Sequence, residues 1–187
     1  MRKFVLAIAA IASMTATGAF AEGYVGIGVG PTRADFDCTG TTSCDNSSTG
    51  GKVFGGYKFT KALAAEVTYS DFGKDSASAV ISGTTYDITL KGTSLGLGVA
   101  YFVDFAPKWS GVGRLGIAST RTKVTVASGA PIATDSETNS SAYAGVGVSY
   151  EISKGLKLDG ALDFSRVEYA GESADVRMLS LGLSYAF

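Results

Sequence analysis

The last nine residues of the chain constrain its fold more than any other segment. Every odd position from Leu179 to Phe187 holds a large apolar side chain, and every even position between them holds Ser, Gly or Ala. Because side chains alternate between the faces of a strand, this segment predicts a strand with one apolar face and one face of small residues. Small uncharged residues suit a crowded barrel interior, with the apolar face turned toward lipid.

The opposite end of the chain predicts export. Two basic residues precede an apolar run, residues 4–12, and Ala19-Phe20-Ala21 matches the cleavage pattern of a secretory signal peptide. The run is too short for a membrane-spanning helix, which needs about 20 residues. We therefore predict a signal peptide over residues 1–21, cleaved after Ala21, and a single mature domain over residues 22–187.

Alternation of apolar with small or polar residues recurs along the mature domain and predicts eight strands. Their predicted ranges are 24–30, 51–60, 63–70, 85–105, 109–126, 142–152, 158–165 and 179–187. Tight turns follow the second, fourth and sixth strands. Long polar loops follow the first, third, fifth and seventh. This layout is typical of an all-β, eight-stranded antiparallel up-and-down transmembrane β-barrel, which must close because lipid cannot satisfy an open sheet edge.

Two details of the pattern carry further predictions. Residues 73–84 and 127–136 are predicted as loops, and the reversed parity of residues 86–90 indicates a bulge near Lys91-Gly92 or a section clear of the membrane. Aromatic residues are predicted to form girdles at both rims. The short-turn rim would hold Tyr57, Phe59, Tyr101, Trp109, Tyr150, Tyr185 and Phe187, and the other rim would hold Tyr69, Phe72 and Phe164.

The two cysteines, Cys38 and Cys44, lie close together in the first long loop. In an exported protein we expect them to form a disulfide. A metal site is disfavoured, because two thiols are too few ligands and the sequence has no His. Calcium binding by Asp35, Asp37 and Asp45 stays open, although acidic loop residues are usually only solvated. No cofactor is predicted.

The mature chain resembles the small eight-stranded outer-membrane barrels of the OmpA-like transmembrane-domain family. The resemblance rests on the order of four segments: Tyr24-Val25-Gly26, Gly55-Gly56-Tyr57, Gly113-Arg114-Leu115-Gly116 and residues 179–187. It implies a location in the outer membrane of a Gram-negative bacterium. We expect a barrel alone, without the periplasmic peptidoglycan-binding domain of two-domain members.

The resemblance also implies a role for the C-terminal residues. In this family the final aromatic residue, with apolar residues at alternate positions before it, is the signal that the outer-membrane assembly machinery reads. Here those residues are Leu181, Leu183, Tyr185 and Phe187.

The strand parity places four charged residues in the barrel interior: Glu66, Arg114, Asp159 and Asp163. We predict an ion-pair network centred on Arg114, whose planar guanidinium suits two carboxylates. The resemblance implies a comparable charged plug, with Gly98 at the position of a further basic residue. A satisfied structural network is one interpretation, and a proton path or a gated pore is the other.

The composition disfavours two classes of function, an enzyme and a nucleic-acid-binding protein. Without His the chain lacks the usual general base, so we expect no enzyme, and a formal net charge of −1 gives no basic surface for nucleic acid. We predict a monomer with a structural and surface-interaction role. Its expected partners are outer-membrane lipid and lipopolysaccharide, the assembly machinery, and host surface or matrix proteins. The alternatives are a narrow OmpW-like conduit for small or hydrophobic solutes and a lipocalin-like soluble barrel.

Overall fold

The computed structural model describes residues 22–34, 43–45, 47–81, 84–128, 130–169 and 172–187. These residues form nine strands: β1 (Glu22–Ala34), β2 (Ser43–Asp45), β3 (Ser47–Lys58), β4 (Leu63–Ile81), β5 (Thr84–Ala106), β6 (Trp109–Ser128), β7 (Ala130–Ser153), β8 (Leu156–Tyr169) and β9 (Glu172–Ala186). The predicted signal peptide lies outside the described residues.

Eight of the strands close into one antiparallel barrel, in which β1 pairs with both β3 and β9 and every other barrel strand pairs with its neighbours along the chain. The short β2 pairs with the upper part of β4. Closure joins the two ends of the domain, since Gly23 and Phe187 exchange backbone hydrogen bonds of 3.1 and 2.9 Å. The predicted fold class is confirmed.

The outer face of the barrel carries an apolar belt. On β5 every outward side chain from Leu95 to Phe105 is hydrophobic, and on β6 Leu115 is 69% exposed. Ten residues at about 3.3 Å each on a strand tilted by about 40° span roughly 25 Å, the height of a lipid-facing band. Among the described residues, no helix is long and apolar enough to cross a bilayer.

Aromatic side chains stand at the short-turn rim of the belt. Tyr101, Tyr185 and Phe187 are exposed there, and the rings of Trp109 and Tyr150 lie 5.0 Å apart. One predicted girdle residue is wrong. Phe72 is buried in the lumen instead of facing the opposite rim. The reason is its parity, because even-numbered residues of β4 from Ala64 to Phe72 face inward.

The predicted loops at residues 73–84 and 127–136 are also wrong. β4 and β5 remain paired as far as Ile81 and Thr84, and β6 and β7 remain paired as far as Ser128 and Ala130. These parts rise above the apolar belt, where neither face needs a lipid-facing pattern, so the hydrophobic alternation disappears while the backbone pairing continues. Two long hairpins therefore project from one side of the barrel.

The irregularity expected near Gly92 lies on the neighbouring strand. The register of β4 with β5 shifts between Asp71 and Lys74, so Phe72 and Gly73 together oppose Gly92. Gly73 has a φ of 86°, a left-handed conformation that glycine adopts without a steric cost. β5 itself keeps one parity along its length, and its upper part stands clear of the belt.

Candidate functional site in the barrel lumen

The lumen contains three cations and three carboxylates at the height of the lipid belt. They are Lys52 on β3, Glu66 on β4, Arg114 on β6, and Lys157, Asp159 and Asp163 on β8. Their charges balance, which is the condition for keeping ionised groups out of water. The strand parity that predicted inward positions is the same parity that brings them together.

The central contact joins Arg114 to Glu66. Arg114 Nε donates a 2.8 Å hydrogen bond to Glu66 Oε1, and the side chains are 7% and 0% exposed. The second oxygen of Glu66 accepts a 2.8 Å hydrogen bond from the Tyr24 hydroxyl, and Thr68 lies 3.3 Å from the first. Both carboxylate oxygens therefore have partners, as a buried charge requires.

Aromatic side chains pack against this ion pair. The Arg114 guanidinium carbon lies 5.0 Å from the centre of the Phe54 ring, a cation–π distance. Tyr24 packs against Phe54 and Phe102, with ring centres 6.4 and 5.6 Å apart. The Lys58 ammonium lies 5.0 Å from the Phe102 ring and pairs with Glu22 at 2.8 Å.

Small residues on the intervening strands make room for the large ones. A Cβ atom at Gly56 would lie 2.6 Å from Cζ of Tyr24, and one at Gly98 would lie 2.9 Å from the carbonyl carbon of Leu115. Gly98 is paired with Glu66 on one side and with Gly116 on the other. The ion pair thus passes over a strand that carries nothing larger than the methyl group of Ala100 at this height.

A second ion pair joins Lys52 to Asp163 across the lumen. Asp159 accepts a hydrogen bond from Ser149, and Lys157 donates one of 3.3 Å to Ser110.

This arrangement differs from the predicted network. Arg114 has one carboxylate partner, Glu66, because Lys52 holds Asp163. Within the described part of the chain, Asp159 forms no ion pair. Lys52 was not part of the predicted network, although it alternates with outward residues on β3 and is buried in the lumen. The surplus of inward carboxylates over Arg114 was the signal that a second cation was needed.

The space that remains between these groups is small. A cavity of about 10 Å³ is lined by residues that include Lys52, Phe54, Arg114, Ser149 and Asp159. A volume of about 10–15 Å³ on this measure holds one water molecule.

Towards the extracellular side the buried lumen residues are uncharged. Thr120 donates a 3.2 Å hydrogen bond to Ser94, and Met178 is 1% exposed. Above them a cluster of buried side chains, which we call the upper apolar cluster, contains Ala34, Phe72, Ala174 and Val176. Side chains of two chemical kinds thus occupy the lumen in successive layers.

A comparison with protein families finds a match to the family described as outer membrane protein beta-barrel domain, over residues 4–187. The chain belongs to this family. The family and its fold support a location in the outer membrane. A comparison with curated proteins finds no match.

Solved structures of small outer-membrane barrels are similar in fold. Ail of Yersinia pestis, in complex with the heparin analogue sucrose octasulfate, superposes with a TM-score of 0.61 and 18% identity over 90% of this chain and 99% of that chain. Neisserial surface protein A (NspA) gives 0.58 and 17% over 88% and 97%. OprG of Pseudomonas aeruginosa gives 0.59 and 11% over 90% and 96%. At these identities the likeness shows the fold.

The C-terminal residues of this family member lie on the lipid face. Leu181, Leu183, Tyr185 and Phe187 are exposed on one side of the C-terminal segment, in the alternation that the sequence predicted. Their reading by the assembly machinery stays a prediction.

The predicted disulfide also stays a prediction. Cys38 lies outside the described residues, and only the backbone of Cys44 is described, in β2. Asp35 and Asp37 lie outside the described residues as well. Within the described ranges, no group of three or more His, Cys, Asp or Glu side chains could hold a metal ion.

Proposed function

We propose that the protein is a structural and surface-interaction protein of the outer membrane, with a lumen that side chains close. The observation that supports closure is the buried Arg114–Glu66 ion pair, which lies in the lumen beside a cavity of only about 10 Å³. An eight-stranded barrel has an interior just wide enough for its own side chains. A solute would therefore have to displace a buried, hydrogen-bonded ion pair.

The surface role is supported by the two long hairpins. β4 continues to Ile81 and β7 begins at Ala130, so four adjacent strands stand above the apolar belt as one sheet. We call this projecting sheet, formed by residues 74–81, 84–93, 119–128 and 130–141, the outer wall. Backbone pairing holds the outer wall in one shape, which lowers the ordering cost of binding a partner.

The class of partner is part of the proposal. Ail, a barrel of similar fold, was solved with a heparin analogue. We extend this to propose that the outer wall meets sulfated or otherwise anionic polymers of host surfaces or matrix.

Export and assembly complete the proposal. Residues 1–21 are removed after Ala21, and the assembly machinery reads Leu181, Leu183, Tyr185 and Phe187. Cys38 and Cys44 form a disulfide, and the barrel is a monomer.

A narrow conduit for small or hydrophobic solutes is the second candidate. The observation in its favour is the upper apolar cluster, since apolar residues at the extracellular mouth would admit an apolar solute. The polar contacts below that cluster weigh against it.

Single-channel conductance in a planar bilayer tests the closed lumen. We expect no discrete channels for the refolded wild type, and openings for Arg114→Ala, which removes the guanidinium that fills the lumen. Arg166→Ala is the matched control, because Arg166 pairs with Asp175 outside the lumen, where both side chains are 54% exposed. Discrete channels in the wild type would overturn the closed lumen and favour the conduit.

Binding to immobilised heparin tests the surface role. We expect retention of the wild type on heparin and loss of retention on desulfated heparin of the same length. Equal behaviour on both columns would contradict the proposed partner class, whatever the conductance shows.

A further inference from the structure

Four cations lie together on the outer face of the outer wall, just above the apolar belt. Lys74 on β4 is opposite Lys91 on β5, and Lys91 is opposite Lys123 on β6. Two residues below Lys123 on the same strand and the same face lies Arg121. We call these four residues the basic row.

The basic row is a costly arrangement without an anion. Residues directly opposite each other on paired strands have Cβ atoms about 4.5–5.5 Å apart, and like charges there repel. Lys74, Lys91 and Lys123 make two such pairs in succession across three strands.

The neighbouring carboxylates only partly offset this charge. Asp71 pairs with Lys91 at 2.9 Å, and this hydrogen bond raises the pKa of Lys91, so its charge persists. Among the described residues, no carboxylate forms an ion pair with Arg121 or Lys123. Counting Asp71 and Asp135 as the nearby carboxylates, the group keeps two positive charges in excess.

The surface between these cations is concave. A groove of about 500 Å³ is lined by Lys91, Thr93, Arg121, Lys123, Thr134, Asp135 and Ser136. The Arg121 guanidinium donates a 3.2 Å hydrogen bond to the Ser136 hydroxyl, which holds it at the edge of the groove. Hydroxyl and cationic donors converge there, as they do in phosphate sites.

The height of the basic row matches one particular layer of the membrane. On β5 the belt ends at Leu95, and Lys91 lies four residues above it. At about 3.3 Å per residue and a tilt of about 40°, Lys91 stands roughly 10 Å above Leu95 and Arg121 about 5 Å above the belt. The headgroup layer on each side of the hydrocarbon is about 5–8 Å thick, so Arg121 lies within this layer. The three lysines, aligned in one row, begin just above it, within the length of a lysine side chain.

We infer that the basic row is a binding site for the phosphate groups of outer-leaflet lipopolysaccharide, which the barrel holds against its outer wall. Arg121 and Lys123 supply the principal contacts, and Lys74 and Lys91 add charge. Bound phosphate would relieve the repulsion between the opposed lysines. This inference goes beyond the proposed function, because it requires only that the barrel spans the outer membrane.

A titration with fluorescently labelled lipopolysaccharide tests the site. The refolded barrel in zwitterionic micelles is titrated with phosphorylated lipopolysaccharide and with the same material after removal of its lipid A phosphates, and anisotropy is recorded. For the wild type we expect about tenfold weaker binding of the dephosphorylated material. For the Arg121→Gln/Lys123→Gln variant we expect about tenfold weaker binding of the phosphorylated material.

The matched control is Lys61→Gln/Lys154→Gln, which removes two exposed cations from the periplasmic turns. It should bind phosphorylated lipopolysaccharide as the wild type does. Folding of each variant is checked by its heat-shifted mobility on a gel. If the double variant does not fold, Lys123→Gln alone replaces it, with an expected loss of about threefold.

Three results would overturn the inference. Unchanged binding by the folded basic-row variant would remove the site, and equal binding of both lipopolysaccharides by the wild type would remove phosphate as its ligand. If the variant loses binding of soluble heparin but keeps that of lipopolysaccharide, the basic row is a sulfated-glycan site. If the wild type binds phosphorylated lipopolysaccharide but does not bind heparin, the proposed function is contradicted and this inference stands.

Discussion

Arg114 and Glu66 form a buried ion pair between strands that are not neighbours. The pair joins β6 to β4 at 2.8 Å and passes over Gly98 and Ala100 of β5, which lies between them. A contact of this kind stabilises the closed barrel as a whole, because it ties together elements that backbone pairing alone does not connect.

Removing one partner of this pair should therefore be severely destabilising. We expect Arg114→Ala to lower the free energy of unfolding by about 3–5 kcal/mol, since it leaves the Glu66 carboxylate buried without its cation. Urea unfolding of the barrel in lipid vesicles measures the change. Arg166→Ala, which removes one partner of an exposed ion pair, should lower the free energy of unfolding far less. Equal losses in the two variants would mean that burial of the ion pair does not cause the destabilisation.

Gly98, the residue of β5 that lies beneath the ion pair, should not tolerate an added methyl group. We expect Gly98→Ala to cost about 1–3 kcal/mol, because its Cβ would lie 2.9 Å from the carbonyl carbon of Leu115. Gly113→Ala is the control, since a Cβ there meets no atom within 4 Å. Thermal unfolding followed by gel mobility compares the two variants. A neutral Gly98→Ala would show that the lumen is more loosely packed than this structure.

A charge on the apolar belt should be costly in lipid. Leu115 is near the middle of the belt, so Leu115→Arg should lower the free energy of unfolding in vesicles by about 2–4 kcal/mol. Ser140→Arg, at the extracellular end of the belt, should cost about 0–1 kcal/mol. If Leu115→Arg were instead neutral and the protein stayed folded without detergent, the soluble-barrel alternative would be correct.

The C-terminal aromatic residue should matter more in cells than in refolding. We expect Phe187→Ala to reduce the fraction of barrel assembled in the outer membrane several-fold, while refolding into detergent from urea proceeds almost normally. Phe105→Ala removes another exposed aromatic residue from the belt and should assemble as the wild type does. An equal defect in both settings would assign Phe187 to barrel closure at Gly23 rather than to recognition.

The predicted disulfide should be present in protein isolated from the outer membrane. Mass spectrometry under non-reducing conditions should find Cys38 linked to Cys44, and reduction should lower stability by only about 2 kcal/mol because the closed loop is short. Cys44→Ser supplies the control, since reduction should then change nothing. Two free thiols would remove the disulfide from the proposal.

The sequence alone determined which side chains of the barrel face lipid and which face the lumen. Whether a side chain meets lipid or the lumen alternates along a strand, so period-2 patterning predicted the belt, the closed barrel and the inward positions of Glu66 and Arg114. The pattern failed above the belt, where water meets the outer wall and no apolar face marks a strand.

The tertiary structure decided which residues meet across the lumen. Parity places Arg114, Lys52, Asp159 and Asp163 on the inner face, but it does not say which cation pairs with which carboxylate. That choice depends on the relative register of strands that are distant in sequence. The smallest register change that keeps a side chain on the inner face is two residues, about 6.6 Å, which is more than a hydrogen bond tolerates. The basic row likewise arises from register, which aligns lysines of three strands.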